Sequence, residues 1–365
     1  MNCQAALLFL FLTTAPMSIK INIYITILML SSAAFISPLI TKGQSTSLDS
    51  SQPETVVQKK YGLDPSKPLA KRIGNTPPEI IQKFRDAGMS PTIHRLSKTD
   101  SLKVVRAFQM LPPLHQHILK EHLLGISFLD NMPNTALTAT VNPEDQFPVF
   151  TITFRAEILK QDVSQWLTEK EMSYFTKDFP GFRIAIEAGK LDAILYVLLH
   201  EATHVVDGSL GILAMDQNKG TSGMALNLKS FTRNIWVDRT SICPSYTDSL
   251  TLQSRFRGGG RLLPMELARQ IYQSAAKGPF VSLYATSSWH EDLAEYLTVT
   301  HFSQRLKQPF RIIIHEGRKE IFIYEPMKSA TVSSRISLMK YFYAKAGSST
   351  LYERHVKPGG RGFNG

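Results

Sequence analysis

Residues 198–208 read LLHEATHVVDG, which places two histidines four positions apart with a glutamate directly after the first. Apolar residues flank the group on both sides, and we predict one long helix over 191–206 that ends at Gly208. Because residues i and i+4 lie on the same face of a helix, His200 and His204 can direct both imidazoles to one point. Polar side chains in so apolar a helix need partners, since burying them unpaired is costly.

This HExxH pattern predicts a bound Zn²⁺ ion. The two imidazoles of His200 and His204 supply two ligands. Glu201 is rotated about the helix axis, so we expect it outside the ligand set but within reach of a metal-bound water as general base. The alternative is a helix with a polar edge and no metal. The short motif also arises by chance, so the apolar helix around it is what favours the metal.

A catalytic zinc commonly has three protein ligands and one open position. The extended pattern HExxHxxGxxH needs a glycine and a third histidine where this chain has Asp207 and Leu210, so that arrangement is excluded. The other arrangement takes a glutamate from a later helix. The stretch SWHEDLAEYL at 288–297 offers Glu291, with Glu295 one turn later on the same face.

The two stretches HEATHVVD (200–207) and YATSSWHEDLAEYL (284–297) together resemble the gluzincin metallopeptidases. The local likeness is to the anthrax lethal factor type of catalytic site, in which a tyrosine precedes the ligand glutamate by seven residues, as Tyr284 precedes Glu291 here. The resemblance is confined to these stretches. It implies an α+β, zincin-like metallopeptidase domain in which Glu291 is the third zinc ligand and Tyr284 donates to the oxyanion.

The same resemblance implies that Glu295 orients an imidazole by accepting its second N–H. Asp207 does similar work or simply ends its helix. Three alternatives stay open at this point. Glu291 also fits a capping box that begins at Ser288, Glu295 also fits a solvated helix-face charge, and Tyr284 also fits an ordinary strand or core position.

The domain organisation is predicted from composition along the chain. Residues 1–45 contain an uncharged apolar run at 21–40 and are predicted to be a signal peptide or a membrane anchor. The protein is thus expected to be exported, secreted or periplasmic, or to associate with the membrane through this segment. We assign 46–78 to a flexible linker, 79–350 to the metallopeptidase domain and 351–365 to a glycine-rich basic tail.

Hydrophobic periodicity predicts an α+β fold with the HExxH helix, a small mixed sheet and a mainly helical C-terminal part. If the strand 147–154 lies at the edge of the cleft, it could pair with an extended substrate as an added strand. The other expected elements are helices at 79–87, 101–124 (interrupted at Pro112-Pro113), 289–306 and 335–346, a strand at 136–141, and a hairpin at 310–326 that turns at Glu316-Gly317.

Composition excludes several classes of protein. The net charge is +11, but the basic residues are scattered and no recognition motif accompanies them, so we predict no specific nucleic-acid partner. Cysteine occurs only at Cys3 and Cys243, which excludes a cysteine-ligated zinc site. The run RGGGR at 257–261 neither follows an evident strand nor matches a phosphate-binding loop.

These observations favour a zinc-dependent hydrolase that cleaves peptide bonds in a peptide or protein substrate. Glu201 would take a proton from the zinc-activated water and pass it to the leaving amine. The alternative is a non-catalytic exported or membrane-associated binding protein with a structural or vestigial zinc site. Glu201 distinguishes the hydrolase from the binding protein, because a structural zinc site has no need for a carboxylate beside its first ligand. Hydrolysis of a non-peptide amide would use the same chemistry.

Overall fold

The computed structural model describes residues 52–344, apart from 142, 144–146, 178–180 and 214–229. The expected targeting segment 1–45, with Cys3, and the expected tail 351–365 lie outside the described residues. None of the helices in the described part of the chain has both the length and the apolar character that crossing a bilayer requires.

Helices alternate with strands along the chain, so the architecture is mixed α and β. The α-helices of the described residues are α1 (Gln52–Lys60), α2 (Pro78–Asp86), α3 (Lys98–Met110), α4 (Pro113–His122), α5 (Val163–Met172), α6 (Ala193–Leu210), α7 (Ser249–Leu252), α8 (Ala268–Ala275), α9 (Trp289–Thr300) and α10 (Ala330–Ser333). Short 3-10 helices include Leu69–Arg72, Ala156–Lys160, Pro244–Tyr246, Met265–Leu267, Tyr284–Thr286, Pro326–Lys328 and Ile336–Tyr343, and a π-helical turn covers His301–Arg305.

The expected small mixed sheet is present. It has four strands in the order β1 (Thr92–Ile93), β2 (Leu123–Asp130), β4 (Phe150–Arg155) and β3 (Ala136–Thr140). Strands β2 and β4 are parallel, whereas β3 and β1 run antiparallel to their neighbours. The condition that the strand 147–154 forms an edge is not met. Ile152 of β4 stands between Ile126 of β2 and Thr138 of β3, so the edge strand is β3.

A second sheet is antiparallel and has the order β5 (Phe182–Glu187), β6 (Arg311–Glu316) and β7 (Lys319–Tyr324). Strands β6 and β7 form the predicted hairpin. Gly317 takes a positive φ of 59° in its turn, a conformation that glycine adopts without steric cost. The sequence analysis did not foresee β5, which pairs with β6 across a long stretch of chain.

Helix α6 is the central element of the core. It packs against α3, α4, α5, α9 and the edge strand β3, and most of its residues are buried. The predicted end at Gly208 was wrong, because α6 continues to Leu210. The helix ends at Gly211, which adopts the left-handed conformation with φ 59°. A glycine inside a helix costs only about 1 kcal/mol, which the packing of α6 offsets.

The segment 46–78, expected to be a flexible linker, is partly ordered against the body of the protein. Leu63 and Leu69 are buried. The Gly74 N–H donates a 2.9 Å hydrogen bond to the Ile126 carbonyl of β2. The expectation of a flexible linker was therefore wrong for residues 63–78. Their apolar side chains pack against the rest of the protein, and this packing could not be predicted from the local composition.

Two prolines set the boundary inside the predicted helical region 101–124. Pro113 occupies the first turn of α4, where its missing N–H is not needed, and α3 ends before it. The closing segment was predicted to be an α-helix over 335–346 and is instead a 3-10 helix. The helix predicted over 289–306 is confirmed as α9 with its π-helical continuation.

Candidate metal centre

Helices α6 and α9 bring three side chains together. The Nε2 atom of His200 lies 2.9 Å from Glu291 Oε2, and the Nε2 atom of His204 lies 3.3 Å from the same oxygen. The two Nε2 atoms are 3.2 Å apart. Residues separated widely in sequence thus present two nitrogens and one oxygen to a common point, as the HExxH spacing and the later glutamate predicted.

The spacing of these atoms fits one bound ion. Ligand atoms about 2.0–2.2 Å from a tetrahedral metal lie about 3.3–3.6 Å from one another. The observed triangle of atoms has sides of 2.9, 3.2 and 3.3 Å, so a small closure or opening of the side chains accommodates an ion. His200, His204 and Glu291 therefore form a group that could hold a metal ion.

The electrostatics of the group favour a cation. Burial lowers the pKa of His200, but the carboxylates of Glu291 and Glu295 outweigh this effect and raise that pKa to about 10. Burial raises the pKa of Glu291, but the charge of His204 and the contacts of both imidazoles outweigh it and hold that pKa well below its usual range. Without a metal the site holds protons that a metal ion must displace.

Helix α9 begins with Ser288 at its N-cap, and the Ser288 hydroxyl accepts a 3.3 Å hydrogen bond from the Glu291 N–H. The Glu291 carboxylate faces the two histidines of α6, with an exposed fraction of 6% for the residue. The helix cap thus uses only the backbone N–H of Glu291 and the hydroxyl of Ser288. The carboxylate of Glu291 is not needed for the cap and contacts the two histidines.

Glu201 lies beside the three grouped side chains and is itself 8% exposed. The hydroxyl of Thr138, on the edge strand β3, donates a 2.6 Å hydrogen bond to Glu201 Oε2. The sequence analysis missed Thr138. It lay within an expected strand, but nothing in the sequence indicated that this strand faces α6.

Glu295 lies behind His200 and is 1% exposed, so it is not a solvated helix-face charge. Its carboxylate is 3.1 Å from His200 Nδ1, an ion-pair distance, although the ring is turned away from a well-directed hydrogen bond. Ser282 and Tyr196 donate hydrogen bonds to it, and Lys170 forms an ion pair with it at 3.1 Å. Burial raises the pKa of Glu295, but Lys170 and the other contacts outweigh it and lower that pKa to about 2.

The structure does not place Asp207 against either ligand imidazole. Its carboxylate accepts a 2.9 Å hydrogen bond from the Leu213 N–H and lies 2.5 Å from His290 Nδ1. The carboxylate thus contacts Leu213 and His290 and neither ligand histidine. Asp207 also does not end its helix before Gly208, since α6 continues to Leu210, and its contact with Leu213 ties the chain beyond Gly211 back to α6.

Tyr284 begins a 3-10 helix, so it is neither a strand residue nor a fully buried core residue. Its ring centroid lies 5.9 Å from that of His200, and Lys170 Nζ lies 4.3 Å from the Tyr284 centroid. The tyrosine ring therefore lies beside the imidazole of the first histidine. Lys170, which contacts both Tyr284 and Glu295, carried no signal in the sequence.

A pocket of about 350 Å³ opens beside the candidate metal centre. Its walls come from β3, β4, α5, α6 and the residues before α9. The lining residues are Pro133, Asn134, Thr135, Ala136, Arg155, Trp166, Glu169, Lys170, Ser173, Tyr174, Val197, His200, Glu201, Arg255, Phe256, Tyr284 and Glu295.

Comparison of the chain with family models, curated proteins and solved structures finds no match.

Proposed function

We propose that the chain is a gluzincin-type zinc metallopeptidase with a zincin-like domain, in which His200, His204 and Glu291 hold the metal. The observation that carries the proposal is the convergence of these three ligand atoms within 2.9–3.3 Å of one another, with a buried carboxylate beside them. The local resemblance to the lethal factor type of site supports it, because Glu201, Tyr284 and Glu291 follow that pattern.

Zinc is the metal that this donor set suits, since two imidazole nitrogens and one carboxylate oxygen leave a fourth position open. When bound, the ion supplies a Lewis acid that lowers the pKa of water from about 15.7 to about 7. The remaining tasks in peptide hydrolysis fall to the residues of the chain.

Glu201 is the general base in this proposal. Its Oε2 atom accepts the hydrogen bond from Thr138, which leaves Oε1 as the oxygen that takes the proton and later delivers it to the leaving amine. Tyr284 donates to the substrate carbonyl oxygen as that oxygen gains negative charge. Glu295, whose carboxylate lies 3.1 Å from His200 Nδ1, holds this imidazole in orientation through their ion pair.

The edge strand β3 is the surface that an extended substrate would join in this proposal. Its outer edge has no strand partner among the described residues, and it carries Thr138, which contacts the general base. A peptide that adds to β3 as a further strand would pass beside Glu201. This replaces the strand 147–154 in that role.

We retain export, or membrane anchoring through residues 1–45, as part of the proposal, since the apolar run at 21–40 supports it. The competing function is a non-catalytic binding protein with a structural or vestigial zinc site. Glu201 favours the peptidase, because a carboxylate fixed beside a metal by Thr138 has no use in a structural site.

The test is hydrolysis of a peptide pool by the zinc-loaded full chain, followed by mass spectrometry. We expect new peptide termini with the wild type and a fall in rate by a factor of about 10² to 10⁴ with Glu201→Gln, which keeps its zinc but cannot accept a proton. A wild type that holds one zinc per chain and cleaves nothing in the pool would support the binding-protein alternative.

A further inference from the structure

The pocket beside the candidate metal centre contains hydrogen-bond donors that lack acceptors. The Tyr174 hydroxyl is buried in a residue that is 3% exposed, and it has no hydrogen-bond partner among the described residues. The Nε atom of Arg155 is likewise buried and has no hydrogen bond, although it lies 3.9 Å from Glu157 Oε2 in an ion pair. Both residues line the pocket. Because buried polar groups nearly always have partners, these donors indicate a ligand that accepts hydrogen bonds.

Arg255 adds a positive charge to the same wall. Its guanidinium donates a 2.7 Å hydrogen bond to the Ser173 carbonyl, and no ion-pair partner stands beside it among the described residues. Burial lowers the pKa of Arg255, and the interaction that opposes this effect is with Tyr174. Arg255 and Tyr174 both line the pocket.

The segment that carries Arg255 is held firmly in place. The neighbouring Arg257 donates to the carbonyl of Thr286, next to Tyr284, and to the carbonyl of Thr240 at 2.7 Å. At Gly260 a Cβ atom would overlap the Ser254 carbonyl, so the glycine permits the close approach of the two backbones. The RGGGR run thus fixes one wall of the pocket against the start of α9.

The carboxylates that line the pocket do not satisfy these donors. Glu295 is paired with Lys170, and Glu201 accepts from Thr138 at the metal end. Glu169 is exposed and accepts from Gln161.

We propose that this pocket binds a carboxylate of the peptide substrate, with Tyr174 and Arg255 as its donors and Arg155 as a second cation. The inference rests on the proposed function insofar as the ligand is a peptide. A carboxylate only accepts hydrogen bonds, and its bonds to a guanidinium are among the strongest in proteins, so it complements the unpartnered Tyr174 hydroxyl and the two guanidinium groups. The carboxylate comes from an acidic side chain near the cleaved bond or from the C-terminus of the substrate.

The test measures binding without hydrolysis. Fluorescently labelled hexapeptides, with one glutamate or one glutamine at each position in turn, are titrated into the metal-free full chain by anisotropy. One set is amidated at the C-terminus and a second set, without acidic side chains, has a free C-terminus. We expect one acidic peptide or one free C-terminus to bind roughly ten- to a hundred-fold more tightly than its neutral match, as hydrogen bonds to a charged group predict.

Three variants assign the preference to the pocket. Tyr174→Phe and Arg255→Gln are expected to reduce it at least several-fold, whereas Arg318→Gln, which changes an exposed guanidinium outside the pocket in the turn between β6 and β7, should leave it unchanged. A circular dichroism spectrum like that of the wild type shows that each variant is folded, and Arg255→Lys should restore part of the preference.

Equal or absent binding of the charged and neutral peptides would overturn the proposal, as would a preference that survives both pocket variants. The result is distinguishable from a failure of the peptidase proposal. A preference for carboxylate peptides without hydrolysis would contradict the peptidase proposal and support the carboxylate-binding pocket. Hydrolysis without this preference would support the peptidase proposal and contradict the carboxylate-binding pocket.

Discussion

The hydroxyl of Thr138 donates a 2.6 Å hydrogen bond to Oε2 of Glu201, and this contact joins the edge strand β3 to the helix that carries both histidines. It fixes one oxygen of a buried carboxylate and leaves the other, which would take the proton in the proposed reaction. The sheet edge and the candidate general base are therefore one structural unit, and a change on β3 should reach the chemistry without touching the metal ligands.

Thr138→Val removes this hydrogen bond while keeping the shape of the side chain. We expect zinc content to stay at the wild-type level and kcat/KM for peptide hydrolysis to fall roughly ten-fold, as loss of a hydrogen bond to a charged group predicts. Thr140→Val, on the same strand, is the matched control and should have little effect. Equal activity of the two variants would show that Thr138 does not position the base.

Glu291→Ala should lower zinc content strongly, because it removes one of three ligand atoms. Ser288→Ala removes only the helix cap and should retain zinc at a cost of about 0.5–2 kcal/mol in the free energy of unfolding. Plasma mass spectrometry measures the zinc content of each variant. Urea denaturation measures the free energy of unfolding. Full zinc in Glu291→Ala would remove this residue from the ligand set.

Glu295→Gln should weaken zinc binding roughly 10- to 100-fold, since partners that orient a ligand histidine contribute on that scale. Competition with a chromogenic chelator measures the dissociation constant. Glu169→Gln changes an exposed carboxylate of the same pocket and is expected to bind zinc like the wild type. An unchanged zinc affinity in Glu295→Gln would show that Glu295 does not support zinc binding through His200 and serves only in the ion pair with Lys170.

Tyr284→Phe should reduce kcat with little change in KM, because a donor to the developing charge acts after the substrate is bound. The ring keeps its contacts with His200 and Lys170, so we expect zinc content to be unaffected. Steady-state kinetics on any peptide substrate found in the pool gives both constants. A rise in KM alone would assign Tyr284 to substrate binding instead.

Two buried histidines behind α6, His115 and His301, should each reduce the stability of the protein as the pH is lowered. Burial and the charge of His301 lower the pKa of His115 to about 3, and burial lowers the pKa of His301 to about 4. The unfolded chain takes up protons at these residues below about pH 6.5, whereas the folded chain does not. Their stabilising contribution is therefore complete above pH 6.5 and is lost as the pH falls towards 4.

The expected loss between pH 7.5 and pH 5.5 is roughly 1 kcal/mol for each histidine. Urea denaturation of the full chain in EDTA measures the total pH dependence without a contribution from metal. The raised pKa of metal-free His200 acts in the opposite direction, so the contribution of His115 or His301 is read from the difference between variant and wild type. His115→Gln or His301→Gln should reduce the pH dependence by about that amount. A pH dependence equal to that of the wild type in both variants would refute the assignment.

The sequence by itself determined the features that depend on local spacing. The four-residue separation of His200 and His204 fixes a common face, because the helical repeat is a property of the backbone. The hairpin at Gly317 and the break before Pro113 follow from the conformations that these residues favour. Glu291 was found through a spaced pattern, and the structure brings it to the histidines.

Only the tertiary structure decided which distant residues complete the site. The order of strands placed β4 inside the sheet and Thr138 at its edge, and the packing of α5 brought Lys170 to Glu295. Tyr174 and Arg255 meet in one pocket for the same reason. Such contacts depend on how apolar faces pack across the whole core. The partner of a polar residue therefore cannot be predicted from the identity of that residue in the sequence.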